Sequence, residues 1–160
     1  MVRDLADRRL RCVAWVCLLA AGSVVACGGG STRPEEIELR TEVLLEAEDE
    51  ELIVEVQVDT AYWAPGLFNF TVPDRVEING QFGIVFRNLG GRALEIRYEL
   101  IFFDVDTFLI DRYIPLGQPV RLGPAQVRDV QGEFIIQAPD VRDLELLATM
   151  QVKAGIEVAP

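Results

Sequence analysis

Few side chains in this 160-residue chain could carry covalent chemistry. Cysteines stand at positions 12, 17 and 27, serines at 23 and 31 and a lysine at 153, and histidine is absent. A Ser or Cys nucleophile needs a neighbouring base, and without imidazole neither a Ser-His nor a Cys-His pair can be assembled. Carboxylates are the abundant reactive group, with 26 Asp and Glu against 15 Lys and Arg and a net charge of −11. Asp104 and Asp106, set between two apolar stretches, are the pair that could serve as general acid and base in glycoside hydrolysis. Two carboxylates two residues apart are also typical of a turn, and as a cation site they fall short of the six to eight oxygens that Ca²⁺ prefers. The expectation is therefore no enzyme, no catalytic residue, no metal and no cofactor. The negative balance repels phosphate backbones, so nucleic acid is not an expected partner.

The thiols belong to the address of the chain rather than to a reaction. Arg3, Arg8, Arg9 and Arg11 precede an uncharged apolar run over residues 13–26. That run of 14 residues suits a secretory signal and is shorter than the roughly 20 residues of a membrane-spanning helix. Eighteen of the first 26 residues are apolar, and this segment carries +2, which leaves −13 on residues 27–160. Val24-Val25-Ala26-Cys27 resembles the lipobox of bacterial lipoproteins, with Val where that family most often has Leu. The resemblance implies cleavage before Cys27, acylation of its sulfur and amine by chains of the palmitate type, and residence in the cell envelope. Gly28 after the Cys, where Asp tends to retain such proteins at the inner membrane, implies the periplasmic face of the outer membrane. Gly28-Gly29-Gly30-Ser31 reads as a tether, because Gly and Ser impose little stiffness. With Cys12 and Cys17 leaving in the signal, no thiol remains for a disulfide.

The chain thus divides into three segments: 1–26 as lipoprotein signal peptide, 27–36 as lipidated Cys and tether, and 37–160 as one domain. Residues 35–55 hold ten acidic side chains against Arg40, a run that reads as a solvated face. A Pro34 start followed by Glu-rich sequence allows a helix over 35–48. Alternation of Val43, Leu45 and Ala47, and then of Leu52, Val54, Val56 and Val58, favours a hairpin turning at Asp49-Glu50.

The most aromatic stretch, residues 61–70, contains Pro65-Gly66, a turn signal. It reads either as a loop that buries Trp63 and Phe68 over one end of the core, or as an exposed partner contact through Tyr62, Trp63, Leu67, Phe68 and Phe70. Further on, strands are expected over 82–87, 94–103, 108–114, 120–122, 127–136 and 143–152, with turns at 88–91, 104–107 and 139–140. In the last strand Leu144, Leu146, Ala148 and Met150 share a face. Glu99 gives way to Ile101 and Phe103, so the 94–103 strand should become covered on both faces. Many short strands at this spacing predict an all-β antiparallel sandwich behind an N-terminal signal helix.

Phe86-Arg87-Asn88-Leu89, the run from Ile96 through Tyr98 and Phe102 to Asp104, Pro115-Leu116 and Leu144-Glu145-Leu146 together resemble the small YcfL-type periplasmic lipoproteins. That family commonly has Gly in the hairpin after the Asp, where this chain has Val105-Asp106-Thr107. The resemblance implies an immunoglobulin-like fold and no transferable reaction. The expected role is a membrane-tethered binding module, an accessory or assembly component of the envelope with a protein partner; a purely structural lipoprotein is the alternative, and a carboxylate-dependent hydrolase a remote one.

Overall fold

A computed structural model describes residues 37–70 and 75–160, so the signal helix, the lipobox and the tether lie outside the described residues. Period-two alternation builds the core strands. In β4 (Leu94–Asp104), Leu94, Ile96, Tyr98, Leu100 and Phe102 all point into the core, and Ile101 is covered on the opposite face. β8 (Leu147–Val158) buries Met150, Val152, Ala154 and Ile156 by the same rule. These two antiparallel strands form the centre of one sheet, ordered β1-β8-β4-β5, with β1 (Arg40–Ala47), β5 (Leu109–Tyr113) and β6 (Val120–Leu122), which also pairs with β4.

The second sheet is β2 (Val56–Asn69), β3 (Val76–Asn88) and β7 (Val127–Ala138) in that order. Phe86, Phe134 and Ile136 from it meet Phe102 and Leu100 from the first, and no part of these side chains reaches solvent. The result is an immunoglobulin-like sandwich, because two chain-adjacent strands and a later one form one sheet while the strands between and after them form the other. β2, β3 and β7 take the A, B and E positions, and β4 and β8 take C and F. The G position beside F is filled by β1, the first strand. It runs parallel to β8, from Arg40 opposite Thr149 to Ala47 opposite Ile156, so one pairing departs from the antiparallel expectation.

The expected hairpin at Asp49-Glu50 and the helix over 35–48 are both replaced. Residues 40–47 are strand, and β1 and β2 belong to different sheets. The link between them is α1 (Glu50–Glu55), a turn and a half of helix capped by Asp49, whose carboxylate accepts from Glu51 N–H at 3.0 Å. Leu52 and Val56, four residues apart, are both buried, so a helical period satisfies the apolar pattern that reads as strand over 52–55. The same substitution occurs near the C-terminus. Asp140 caps α2 (Val141–Glu145), β8 begins at Leu147, and Leu146 is exposed rather than on the face of Met150.

The β4–β5 hairpin forms without the glycine common in YcfL-type lipoproteins. Thr107 takes the left-handed backbone (φ 67°), and the Asp104 carboxylate braces the turn by accepting from Asp106 and Phe108 N–H at 2.9 and 2.8 Å. Past β5, the Gln118 side chain occupies the gap before β6. Its oxygen accepts from Tyr98 N–H at 2.7 Å and its amide donates to Tyr98 O at 2.6 Å.

Burial pushes the Tyr98 phenol up to about 12, and the nearby Tyr113 adds to the shift. A phenol that ionises later folded than unfolded stabilises the fold below its unfolded value near 10, and this contribution is lost as pH rises toward 12. In an alkaline absorbance titration, one of the three tyrosines should remain protonated above pH ~11 and ionise with unfolding. Complete ionisation below that pH with the fold intact would contradict the burial of Tyr98.

Candidate functional site

β2 and β3 pair from Val56 opposite Asn88 to Asn69 opposite Glu77, but the register slips between Pro65 and Phe68. Pro65-Gly66, a turn signal in the sequence, is thus a bulge within a long strand. Gly66 is needed there: a Cβ would sit 2.6 Å from Asn79 Oδ1. The same oxygen accepts from Leu67 N–H at 3.1 Å, holding the extra residue outward. Leu67 is consequently 82% exposed. Phe68 and Phe70 come next, with ring centroids 6.4 Å apart and Phe70 66% exposed. Tyr62 is also exposed, its ring lying over Gly83 on the outer face, where a side chain would displace it. Beside it is an open depression of about 280 Å³ lined by Tyr62, Gln81, Phe82, Gln131, Gly132 and Glu133.

Trp63 behaves differently from its neighbours and corrects the exposed reading of this stretch. It is 7% exposed, makes an edge contact with Phe102 at 5.7 Å, and donates its indole N–H to Arg40 O at 2.9 Å. It is a core residue that closes the β1 side of the sandwich and has no surface to offer a partner. Phe68, placed with it in the loop reading, remains partly exposed.

Pairing places several segments at one end. A single rung of the first sheet runs Arg40, Thr149, Phe103, Leu109, so the chain enters β1 where β4 turns into β5. Val105 N–H donates to Leu146 O at 3.0 Å, which brings that turn against the α2–β8 junction. β7 ends at Ala138 opposite Val76, so the β2–β3 tip shares this end as well. Its exposed apolar side chains include Leu39, Leu67, Phe68, Phe70, Val105 and Phe108, the last 70% exposed.

The opposite end carries an acidic cluster and is tied, and it too exposes Val54 and Leu89. Glu46, Glu48, Asp49, Glu50 and Glu51 gather around α1. Arg92 reaches Glu55 at 2.7 Å and Asp49 at 3.7 Å, and Lys153 reaches Glu46 at 3.3 Å. Asn88, fully buried, binds the loops together there: its amide donates to the carbonyls of Arg92, Gly123 and Leu122 at 2.7, 3.0 and 3.3 Å, and its oxygen accepts from Gly90 N–H at 2.8 Å. On the outer face of β2 and β3, Arg87 hydrogen-bonds Asp59 and holds its carboxyl below the usual carboxylate range.

Of the carboxylate pair Asp104 and Asp106, Asp104 engages its Oδ1 with two backbone N–H groups of its own turn. Glu95 is buried beside Arg121, its Oε1 2.9 Å from the guanidinium Nε, and this cross-strand pair lies in the β4–β6 ladder away from the apolar end. Among the described residues there is no group of three or more His, Cys, Asp or Glu placed to hold a metal ion. No helix among them is long and apolar enough to cross a membrane.

No known protein family matches the chain, and no curated protein does. Solved structures show loose similarity. The structural-genomics target SoR45 superposes with a TM-score of 0.41 at 14% identity over 52% of this chain and 64% of that one. The Campylobacter jejuni protein cj0090 gives a TM-score of 0.37 at 14% identity over 72% of this chain and 97% of its own. A β-glucuronidase from glycoside hydrolase family 2 gives 0.34 at 13% identity, covering 59% of this chain and 11% of the enzyme. Likeness at this level carries no activity to the chain.

Proposed function

We propose that the chain is a lipid-anchored binding module of the cell envelope, attached through Cys27 and working at the periplasmic face of the outer membrane as an accessory or assembly component. The observation that carries this reading is the meeting, at one end of the sandwich, of the strand that follows the tether with an exposed apolar hairpin tip of Leu67, Phe68 and Phe70. A bulge that turns Leu67 outward at the cost of strand register is not needed by a solvated hairpin. A monomer rarely leaves a group of this kind uncovered without a use for it. The resemblance to the lipobox and to YcfL-type lipoproteins supports the same location. A tether also raises local concentration, so a modest contact suffices.

The test is photo-crosslinking in cells, with a crosslinking amino acid at position 70 and, as the control, at position 54 in α1. A binding module gives an adduct from position 70, to protein or to lipid, that falls about tenfold with Leu67→Asp and is absent from position 54. A purely structural lipoprotein gives equal yields from both positions, and that result would sink the proposal.

A further inference from the structure

We infer that the apolar end of the sandwich seats on the bilayer that holds the anchor, in the zwitterionic headgroup layer. The inference rests on the anchored reading above and names the partner of that same end. Three segments far apart in sequence supply its side chains: Leu39 before β1, Leu67, Phe68 and Phe70 in the β2–β3 hairpin, and Val105 with Phe108 in the β4–β5 turn. Exposed Phe and Leu can enter the headgroup and acyl boundary without leaving a polar group unpaired.

The length of chain between Cys27 and β1 sets which end stays nearer the membrane. From Cys27 to Ile37 there are ten residues, which span at most about 35 Å when fully extended. They join at the apolar end, while the α1 end lies farther off by the length of β8, 12 residues or roughly 40 Å. The apolar tips are therefore the parts of the domain that an anchor at Cys27 keeps within reach of lipid. Both ends are acidic on balance, so charge selects the headgroup rather than the orientation. The acidic side chains from Glu46 to Glu51 occupy the far end. At the near end Asp104 and Asp140 are turned onto backbone N–H groups, and Arg75 bonds Gln137 at 2.8 Å. Glu38, Asp106, Asp143 and Glu145 remain exposed there against Arg40 and Arg142, so a zwitterionic headgroup fits this end better than an anionic one.

The proposed cleavage before Cys27 and acylation of its thiol leave a chain into which a single new cysteine can be placed for labelling. The full lipidated chain, bearing Phe70→Cys, Phe108→Cys or Val54→Cys and an environment-sensitive fluorophore, is reconstituted into phosphatidylethanolamine–phosphatidylcholine vesicles with brominated acyl chains. The expected result is at least threefold stronger quenching at 70 and 108 than at 54, weakened when phosphatidylglycerol replaces the zwitterionic lipid. Flotation with the vesicles but equal, weak quenching at all three positions would overturn the seat and leave the anchor standing. Quenching at 70 and 108 in a chain that also takes label at Cys27 would overturn the anchor and keep the seat. A crosslink from position 70 to an envelope protein, with no quenching in vesicles, would assign this end to a protein and overturn the inference.

Discussion

Replacing Trp63 by alanine is expected to destabilise the domain by about 3–5 kcal/mol, the range for removing a buried large aromatic side chain. The indole fills the junction of the two sheets against Phe102 and Phe134, at centroid distances of 5.7 and 6.3 Å. Its N–H also satisfies Arg40 O at the start of β1, so the substitution leaves both a cavity and a carbonyl without its partner. Against a total stability of roughly 5–15 kcal/mol, this loss should lower the melting temperature by about 10–20 °C. Trp63→Phe keeps most of the packing and loses the hydrogen bond, for an expected cost of about 1–2 kcal/mol. Denaturant melts of the two variants separate these effects. If Trp63→Ala cost less than about 1 kcal/mol, the core role assigned to this residue would be wrong. Contact tests therefore belong to Leu67 and Phe70, which are exposed and whose replacement should leave the melt almost unchanged.

Asn88 is expected to show a comparable effect with a distinctive order among its replacements. It ends β3 with no exposed surface, and four hydrogen bonds of its side chain tie the β3–β4 and β6–β7 connections together at the α1 end. Asn88→Ala removes all four and should cost about 2–4 kcal/mol, since partly buried carbonyls of Arg92, Leu122 and Gly123 lose their donor. Asn88→Asp should be worse at neutral pH, because a buried carboxylate would then face those same carbonyl oxygens. Burial would raise the pKa of the new carboxyl, so its deficit should shrink as pH falls and a proton restores one donor. Urea melts at pH 7 and pH 5 are the check. An Asp variant as stable as wild type at pH 7 would show that the Asn88 amide does not organise this end.

Much of the fold is legible in the sequence where one face is buried and the period is two. β4, β5, β6 and β7 fall close to their expected positions, and Ile101 is covered as the change from Glu99 implies. The elements that differ from expectation share a cause. Around Leu52 and again around Leu144, a single helical turn places its apolar residues almost as a strand does, and the deciding feature is the cap supplied by Asp49 or Asp140. Local pattern does not reveal the partner of β1, because β8 lies more than a hundred residues away in sequence. At the apolar end, composition identifies the aromatic stretch but not its division. Alternation along β2 sends Trp63 inward and Tyr62 outward, a distinction available once the stretch is read as strand rather than loop. Nothing local in the sequence singles out Val105 and Phe108, since their position beside the β2–β3 tip arises from pairing across both sheets.

The anchor at Cys27 underlies the function proposed for the domain, and the intact mass of the protein extracted from membranes tests it most directly. The expected species is a chain of residues 27–160 carrying a diacylglyceryl group on the Cys27 sulfur and a further acyl chain on its amine. A mass matching the unmodified chain from Met1, or a chain cleaved elsewhere with Cys27 free or absent, would contradict it.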